Sequence, residues 1–227
     1  MTRYRQPPSI RRLFMRGQPL HVQKGEVIIG NDMMPDGVYF LDTGYVKIYS
    51  ISDEGHEYLH IIYGHGDLFP LTWAYMDSQP SQLYYETISD CTLWRVSRYW
   101  FTQMARTNAA ISYDLGLQLA YQFRVYSDRI DNLEYKKASD RVIYRLLFLG
   151  SRFGTKQDDS LTIDAPITHE HFANSINLAR ESVSRELEKL EREGLLYRSD
   201  NRLVLTDAPA LAARLSKPID HRDWSLL

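Results

Sequence analysis

From Leu20 onward, apolar and polar residues alternate with a period of two. The runs LHV, EVIIG, GVYFLDTG, YVKIYSI, EYLHIIYG, LYYETI and CTLWRVS are separated by turns at Lys24-Gly25, Asp36-Gly37, Thr43-Gly44, Glu54-Gly55 and His65-Gly66. Many short extended runs with glycine punctuation predict a β-sandwich or jelly-roll barrel. Ahead of them, residues 9–17 put Ile10, Leu13 and Phe14 on one side and Arg11, Arg12 and Arg16 on the other, a short helix with a solvated basic face. From about Asn108 the period returns to 3.6. The proline-free segment ISYDLGLQLAYQFRVYSDRIDNLEYKK aligns Ile111, Leu115, Gln118 or Leu119, Gln122, Val125, Arg129 or Ile130, and Leu133 in one stripe. Its roughly 25 residues span about 40 Å at 1.5 Å per residue. A helix of that length with apolar residues on more than one face needs packing partners on two sides.

The rest of the chain is helical and then mixed. Glu134 to Ser139 reads as a hinge, with Ser139 capping a helix in DRVIYRLLFLGSRFG that buries Val142, Ile143, Leu146, Leu147 and Leu149. TKQDDS reads as a polar loop and LTIDAPI as an extended piece. Thr168 is a good N-cap, because its hydroxyl accepts from an otherwise orphan backbone N–H. Phe172, Ala173 and Ile176 share one face of the short helix that follows. Asn177-Leu178 makes a turn, with Ala179 small enough for a second helix to cross closely. That helix runs from about Arg180, buries Val183, Leu187 and Leu190, and ends at Gly194, a residue tolerant of left-handed backbone. LLYRSDNRLVLTD then alternates around Ser199-Asp200-Asn201 as a two-stranded wing, and residues 207–215 form one more short helix. The tail SKPIDHRDWSLL contains Trp224, which should pack at a place the sequence does not indicate.

Two helices at a tight turn, the second aliphatic inside and polar outside, read as a helix-turn-helix that enters the DNA major groove. An arginine fork bridges O6 and N7 of guanine, and a glutamate accepts from the N4 amine of cytosine. Arg180, Glu181 and Arg185 project from one exposed arc. The competing expectation is a solvated helix laced with Glu181–Arg185 and Glu188–Arg192 ion pairs. The run ARESVSRELEKLEREGLL resembles the recognition segment of the CRP/FNR transcription regulators, close to R-E-T/S-V-S/G-R-x-L-x-x-L-x-x-x-G-L-I. KGEVI, GVYFLDTGYVKIY and GHGDLF likewise resemble the cyclic-nucleotide-binding β-roll, so the similarity covers nearly the whole chain. The resemblance implies an α+β fold: an N-terminal β-roll over residues 1–107, a long dimerisation helix and hinge over 108–137, and a winged helix-turn-helix over 138–227. It also implies that the long helix pairs with its copy in a second subunit, and that the half-site has a GTGA-like core in an inverted repeat.

Under that resemblance Arg180, Glu181 and Arg185 read bases. Thr168, His169, Ser182 and Ser184 hold phosphates, with Lys189 on the same helix and Arg198 and Arg202 flanking the wing tip. The family's phosphate cassette, F-G-E-[LIV] followed by Arg-Ser or Arg-Thr, is not kept. Phe69-Pro70-Leu71 stands in its place, Ser81-Gln82 occupies the Arg-Ser position, and no arginine occurs between Arg16 and Arg95. Proline lacks an N–H donor and leucine cannot accept a hydrogen bond, so no cyclic AMP or GMP binding is expected. Aromatic residues replace the cassette. Leu71, Trp73, Tyr84, Tyr85 and Tyr126 either line a pocket for a less polar effector or fill the old cavity. His56 and His60, on one face of a strand, are candidate haem or metal ligands; Cys91 reads as core, not as a redox switch.

The net charge of −2 gives no hint of nucleic-acid binding, since Glu188, Glu191 and Glu193 offset the arginines of the recognition segment. Phosphate affinity must therefore come from local arrangement. A single cysteine excludes an intrachain disulfide framework and a cysteine-rich metal site. No secretion signal or membrane-length apolar run is present, and a cytoplasmic, bacterial protein is expected. No paired-carboxylate motif, phosphate loop or nucleophile elbow suggests an enzyme. The reading is a homodimeric, sequence-specific regulator of transcription that binds double-stranded DNA, works with RNA polymerase, and needs no cofactor or cyclic AMP. An effector-gated sensor of the same fold, responding to a small apolar molecule or a haem-bound gas, is the alternative.

Overall fold

The computed structural model describes residues 7–76, 79–157, 160–200 and 202–217. They fall into two compact units, one ending at Val125 and one beginning at Tyr126. The first opens with helix α1 (Pro8–Phe14), whose Ile10, Leu13 and Phe14 are buried as their spacing requires. Eight strands follow: β1 (Gln18–Val22), β2 (Val27–Ile29), β3 (Val38–Thr43), β4 (Val46–Ile51), β5 (Glu57–Tyr63), β6 (Leu68–Phe69), β7 (Tyr84–Thr87) and β8 (Cys91–Val96). They make two antiparallel sheets of four, ordered β1-β8-β3-β6 and β2-β7-β4-β5. The alternating runs of the sequence supply every strand except β6. At the β3–β4 turn Gly44 has φ +92°, and a Cβ there would lie 2.4 Å from the Asp90 carbonyl oxygen.

Helices α2 (Leu71–Tyr75) and α3 (Arg98–Thr107) have no counterpart in the sequence pattern. The Ser97 side chain caps α3 by accepting from the Trp100 N–H at 3.2 Å. α1, α2, α3 and the start of helix α4 (Ala109–Glu134) pack on one side of the roll. Phe14, Phe40, Leu71, Phe101 and Leu115 belong to that core. Along α4 the buried positions are Leu115, Gln118, Gln122, Val125 and Asn132. The sequence left Gln118 against Leu119 and Arg129 against Ile130 open. The polar residue takes the inner side each time: Gln118 is buried and Arg129 half-buried, while Leu119 and Ile130 are 40% and 60% exposed. Gln122 donates to the Leu68 carbonyl at 2.8 Å, which ties α4 to β6.

The second unit holds α5 (Ala138–Phe153), β9 (Gly154–Gln157), β10 (Ser160–Ile163), α6 (His169–Ile176), α7 (Arg180–Arg192), β11 (Leu196–Ser199), β12 (Arg202–Leu205) and α8 (Ala208–Ala212). α5 is buried almost all round; α6, α7, α8 and the sheet β11-β12-β10-β9 pack about it. Val142, Ile143, Leu146, Leu147 and Leu149 are inward, as the sequence predicts. Ser139 does not cap α5. The N-cap is Lys137, which makes no side-chain cap bond. Arg141 instead secures the junction, donating to the carbonyls of Tyr135 at 2.7 Å and Leu133 at 3.1 Å. The expected loop TKQDDS is largely strand, because Thr155, Lys156 and Gln157 pair with β10. Asp207 caps α8 by accepting from the Ala210 N–H at 2.8 Å. Trp224 and the tail from Pro218 lie outside the described residues. No helix among the described residues is long and apolar enough to cross a membrane.

Candidate DNA-binding surface

Thr168 caps α6 by accepting from the His171 N–H at 3.1 Å. Phe172, Ala173 and Ile176 then bury at 2% exposure or less. The chain leaves α6 through Asn177, whose left-handed φ of 52° suits asparagine better than most residues. The Leu178 N–H reaches back to the Ala173 carbonyl at 3.2 Å. Ala179 is the N-cap of α7, which buries Val183, Leu187 and Leu190. Past its end Gly194 has φ +74°, and the Leu195 N–H closes onto the Leu190 carbonyl at 3.0 Å. These local choices hold two helices at a tight turn and turn the polar arc of α7 outward.

That arc carries Arg180, Glu181 and Arg185, all exposed. The Glu181–Arg185 and Glu188–Arg192 ion pairs do not form among the described residues. Arg185 donates to Ser182 Oγ at 3.3 Å, and Arg192 to the Glu188 carbonyl at 3.4 Å. Among the described residues nothing holds the side chains of Arg180 or Glu181. A guanidinium and a carboxylate side by side on a rigid helix, without internal partners, can dock on base edges without first breaking a bond.

The other expected contacts are arranged differently. His169 is half-buried; its Nδ1 lies 2.8 Å from Ser184 Oγ and its Nε2 meets the Arg198 guanidinium. Arg198 also pairs with Glu191 at 3.5 Å. Arg202 pairs with Asp164 at 3.1 Å. Burial first, then the charges of Arg198 and Arg180, hold the His169 pKa below its ordinary value. Ser184, His169, Arg198 and Glu191 thus form a chain that ties α6, α7 and the wing together. The sequence marks Ser184, His169 and Arg198 only as separate DNA contacts and gives no sign of the link, which joins positions 29 apart in the chain. Lys189 sits at the edge of the arc, beside a cavity of about 140 Å³ that Asp140, Glu186 and Arg214 also line.

Among the described residues the aromatic side chains of the roll fall into separate groups. Tyr84 and Tyr85 are neighbours in β7 and point to opposite faces of its sheet. Tyr84 stacks on Tyr49 at 5.1 Å. Tyr85 stacks on Phe69 at 5.3 Å, and Phe69 also stacks on Tyr39 at 5.3 Å and Tyr63 at 5.8 Å. Leu71 is buried in the core of α1 and α3, and Trp73 lies under Arg98, 5.4 Å from its ring centre. Tyr126 begins the second unit.

Three cations of the roll, Lys47, Arg95 and Arg98, are already engaged. Lys47 is buried between Glu57 at 2.9 Å and Glu86 at 3.4 Å. Arg95 pairs with Asp36, and Arg98 donates to the carbonyls of Trp73 at 3.1 Å and Ala74 at 3.2 Å. His56 and His60 do not share a strand face: His56 precedes β5, and His60 bonds Ser50 at 2.9 Å. Among the described residues no cluster of histidine, cysteine and acidic side chains could hold a metal ion. Cys91 is buried, and burial raises its thiol pKa.

Residues 140–214 match the Crp-like helix-turn-helix domain, and residues 19–108 match the cyclic nucleotide-binding domain. The chain belongs to the CRP/FNR family of transcription regulators. It is accordingly a DNA-binding regulator of transcription. It is 26% identical over 197 residues to the nitrogen fixation regulation protein FixK of Azorhizobium caulinodans, covering 86% of this chain and 78% of that protein. It is 24% identical over 172 residues to the cAMP-activated global transcriptional regulator CRP of Escherichia coli, covering 74% and 80%. The structure of FixK2 from Bradyrhizobium japonicum has the same fold, with a TM-score of 0.77 at 23% identity over 89% of this chain and 99% of that one.

Proposed function

We propose that this CRP/FNR regulator works as a homodimer on an inverted-repeat DNA site and does so without a cyclic nucleotide. The observation that carries the reading is the exposed arc of α7, where Arg180, Glu181 and Arg185 lack ion-pair partners among the described residues. Arg180 and Arg185 would bind guanine edges and Glu181 a cytosine amine. Thr168 and Ser182, with the wing arginines, would meet phosphates beside them. One such helix reads too few base pairs to mark a gene, and a two-fold axis doubles the contact.

The dimer is supported by the solvent side of α4. Tyr113, Gly116, Ala120, Phe123, Ser127 and Ile130 recur at alternating three- and four-residue steps, the spacing of a coiled-coil seam. Tyr113, Phe123 and Ile130 are 68%, 75% and 60% exposed along this 26-residue helix. Independence from cyclic nucleotides is supported by the lost cassette, by the engaged Arg95, Arg98 and Lys47, and by rings stacked about Phe69. A bacterial cytoplasm and a functional contact with RNA polymerase follow from acting on promoters.

Selection of bound duplexes from a random library tests the reading. Wild-type protein is expected to enrich an inverted repeat. Arg180→Ala and Arg185→Ala should each lose about 1–3 kcal/mol of discrimination at the base they contact. Two variants that retain wild-type sequence preference would contradict the assignment.

A further inference from the structure

The His169 ring has both nitrogens engaged, and the partners dictate its protonation. Nε2 meets the Arg198 guanidinium, which can only donate. Nε2 must therefore accept, the ring must be neutral, and its proton must sit on Nδ1 and be donated to Ser184 Oγ at 2.8 Å. Protonating the ring would set N–H against N–H and cation against cation. Charged groups face the ring from two elements: Arg198 on β11, and Arg180, Glu188 and Glu191 on α7. On α6 its chain neighbours are Glu170 and His171.

We propose that His169 is a proton-linked positioning residue, which holds Arg198 on the free domain and releases it to a backbone phosphate on DNA. The proposal rests on the DNA-binding reading above. In the free domain His169 stores a wing cation against the recognition helix, while Glu191 keeps a second hold on that cation at 3.5 Å. A phosphate next to the wing competes for Arg198 and places negative charge beside the imidazole. The emptied Nε2 then takes a proton, and the imidazolium faces the phosphate instead of a guanidinium.

The sign follows from linkage. Burial and the two arginines depress the pKa of the free domain's ring, and phosphate raises it in the complex. Binding therefore takes up a proton in the window between the two values, and affinity rises as pH falls through it. One proton per subunit limits the effect to about tenfold per pH unit for each half-site.

The test is the pH dependence of affinity for a selected duplex, measured by fluorescence anisotropy from about pH 8 to 5.5 at constant ionic strength, a range set by the ordinary histidine pKa. Wild-type affinity is expected to rise by about 3- to 10-fold over this range. His169→Gln keeps an acceptor for Arg198 and a donor for Ser184 but cannot take up a proton. It should lose the slope, whatever its affinity at the alkaline end. Arg198→Ala should bind more weakly and show a shallower slope. Proton NMR of the free protein should place the His169 titration below the ordinary value of about 6.5. Specific binding with no slope, a wild-type slope in His169→Gln, or an unperturbed His169 would each overturn the proposal alone. A protein that prefers no duplex at any pH overturns the DNA-binding reading and this proposal with it.

Discussion

Truncating Phe123 to alanine probes the proposed dimer where it should be most sensitive. The side chain lies near the middle of α4 and keeps 75% of its surface exposed. Fully burying a phenylalanine stabilises by about 1.5–3 kcal/mol. About three-quarters of that, or roughly 1–2 kcal/mol, is available to association for each copy. A two-fold axis counts the residue twice, so Phe123→Ala should weaken the dimer by about 2–4 kcal/mol. That is about a 30- to 1000-fold rise in its dissociation constant. Sedimentation equilibrium over a concentration series reads this constant directly. Leu117→Ala is a useful companion, because that side chain flanks the seam and is 41% exposed; its effect should be smaller. An unchanged dissociation constant for Phe123→Ala, or a wild-type protein that stays monomeric at micromolar concentration, would refute the seam.

Three further outcomes are expected. Leu187→Ala removes a side chain 1% exposed beneath the recognition helix, and should destabilise the protein by about 2–5 kcal/mol in denaturant titration. Arg145, on α5, is 4% exposed; burial and its neighbours Arg129 and Arg152 push its pKa down to about 9. It remains charged at neutral pH at a cost in desolvation, so Arg145→Met should leave stability unchanged or raise it by about 1–4 kcal/mol. A loss of stability in Arg145→Met would show that the guanidinium's contact with the Phe148 ring, 5.0 Å away, outweighs that cost. Millimolar cyclic AMP should leave the melting temperature unmoved, whereas tight binding at the roll would raise it.

The helix-turn-helix was legible because each of its parts carries a local cause. Thr168 caps, Asn177 accepts a left-handed turn, Gly194 ends the second helix, and Val183, Leu187 and Leu190 repeat at helical spacing. What stayed hidden depends on partners far off in sequence. GTKQ has no period of its own and is a strand only because β10 offers it an edge. RYWFTQMART is rich in aromatic residues that suit strands as well as helices; the Ser97 cap was its one local signal. On α4 either Gln118 or Leu119 fits the stripe, and only the packed roll decides between them. Tyr84 and Tyr85 looked like one aromatic patch, yet a strand turns adjacent side chains to opposite faces. Likewise, no spacing in the sequence announces that His169 meets Arg198.

Glutamates at 188, 191 and 193 share the recognition helix and its end with the arginines, and the wing cations are occupied by Glu191 and Asp164. Arbitrary duplex therefore meets little unopposed positive charge here and should hold this protein only briefly. Its affinity should fall gently with added salt, since few counterions are displaced. Promoter occupancy would then be governed by how long matched base edges retain the α7 arc, and the surrounding chromosome would act as a weak sink for the molecules in transit.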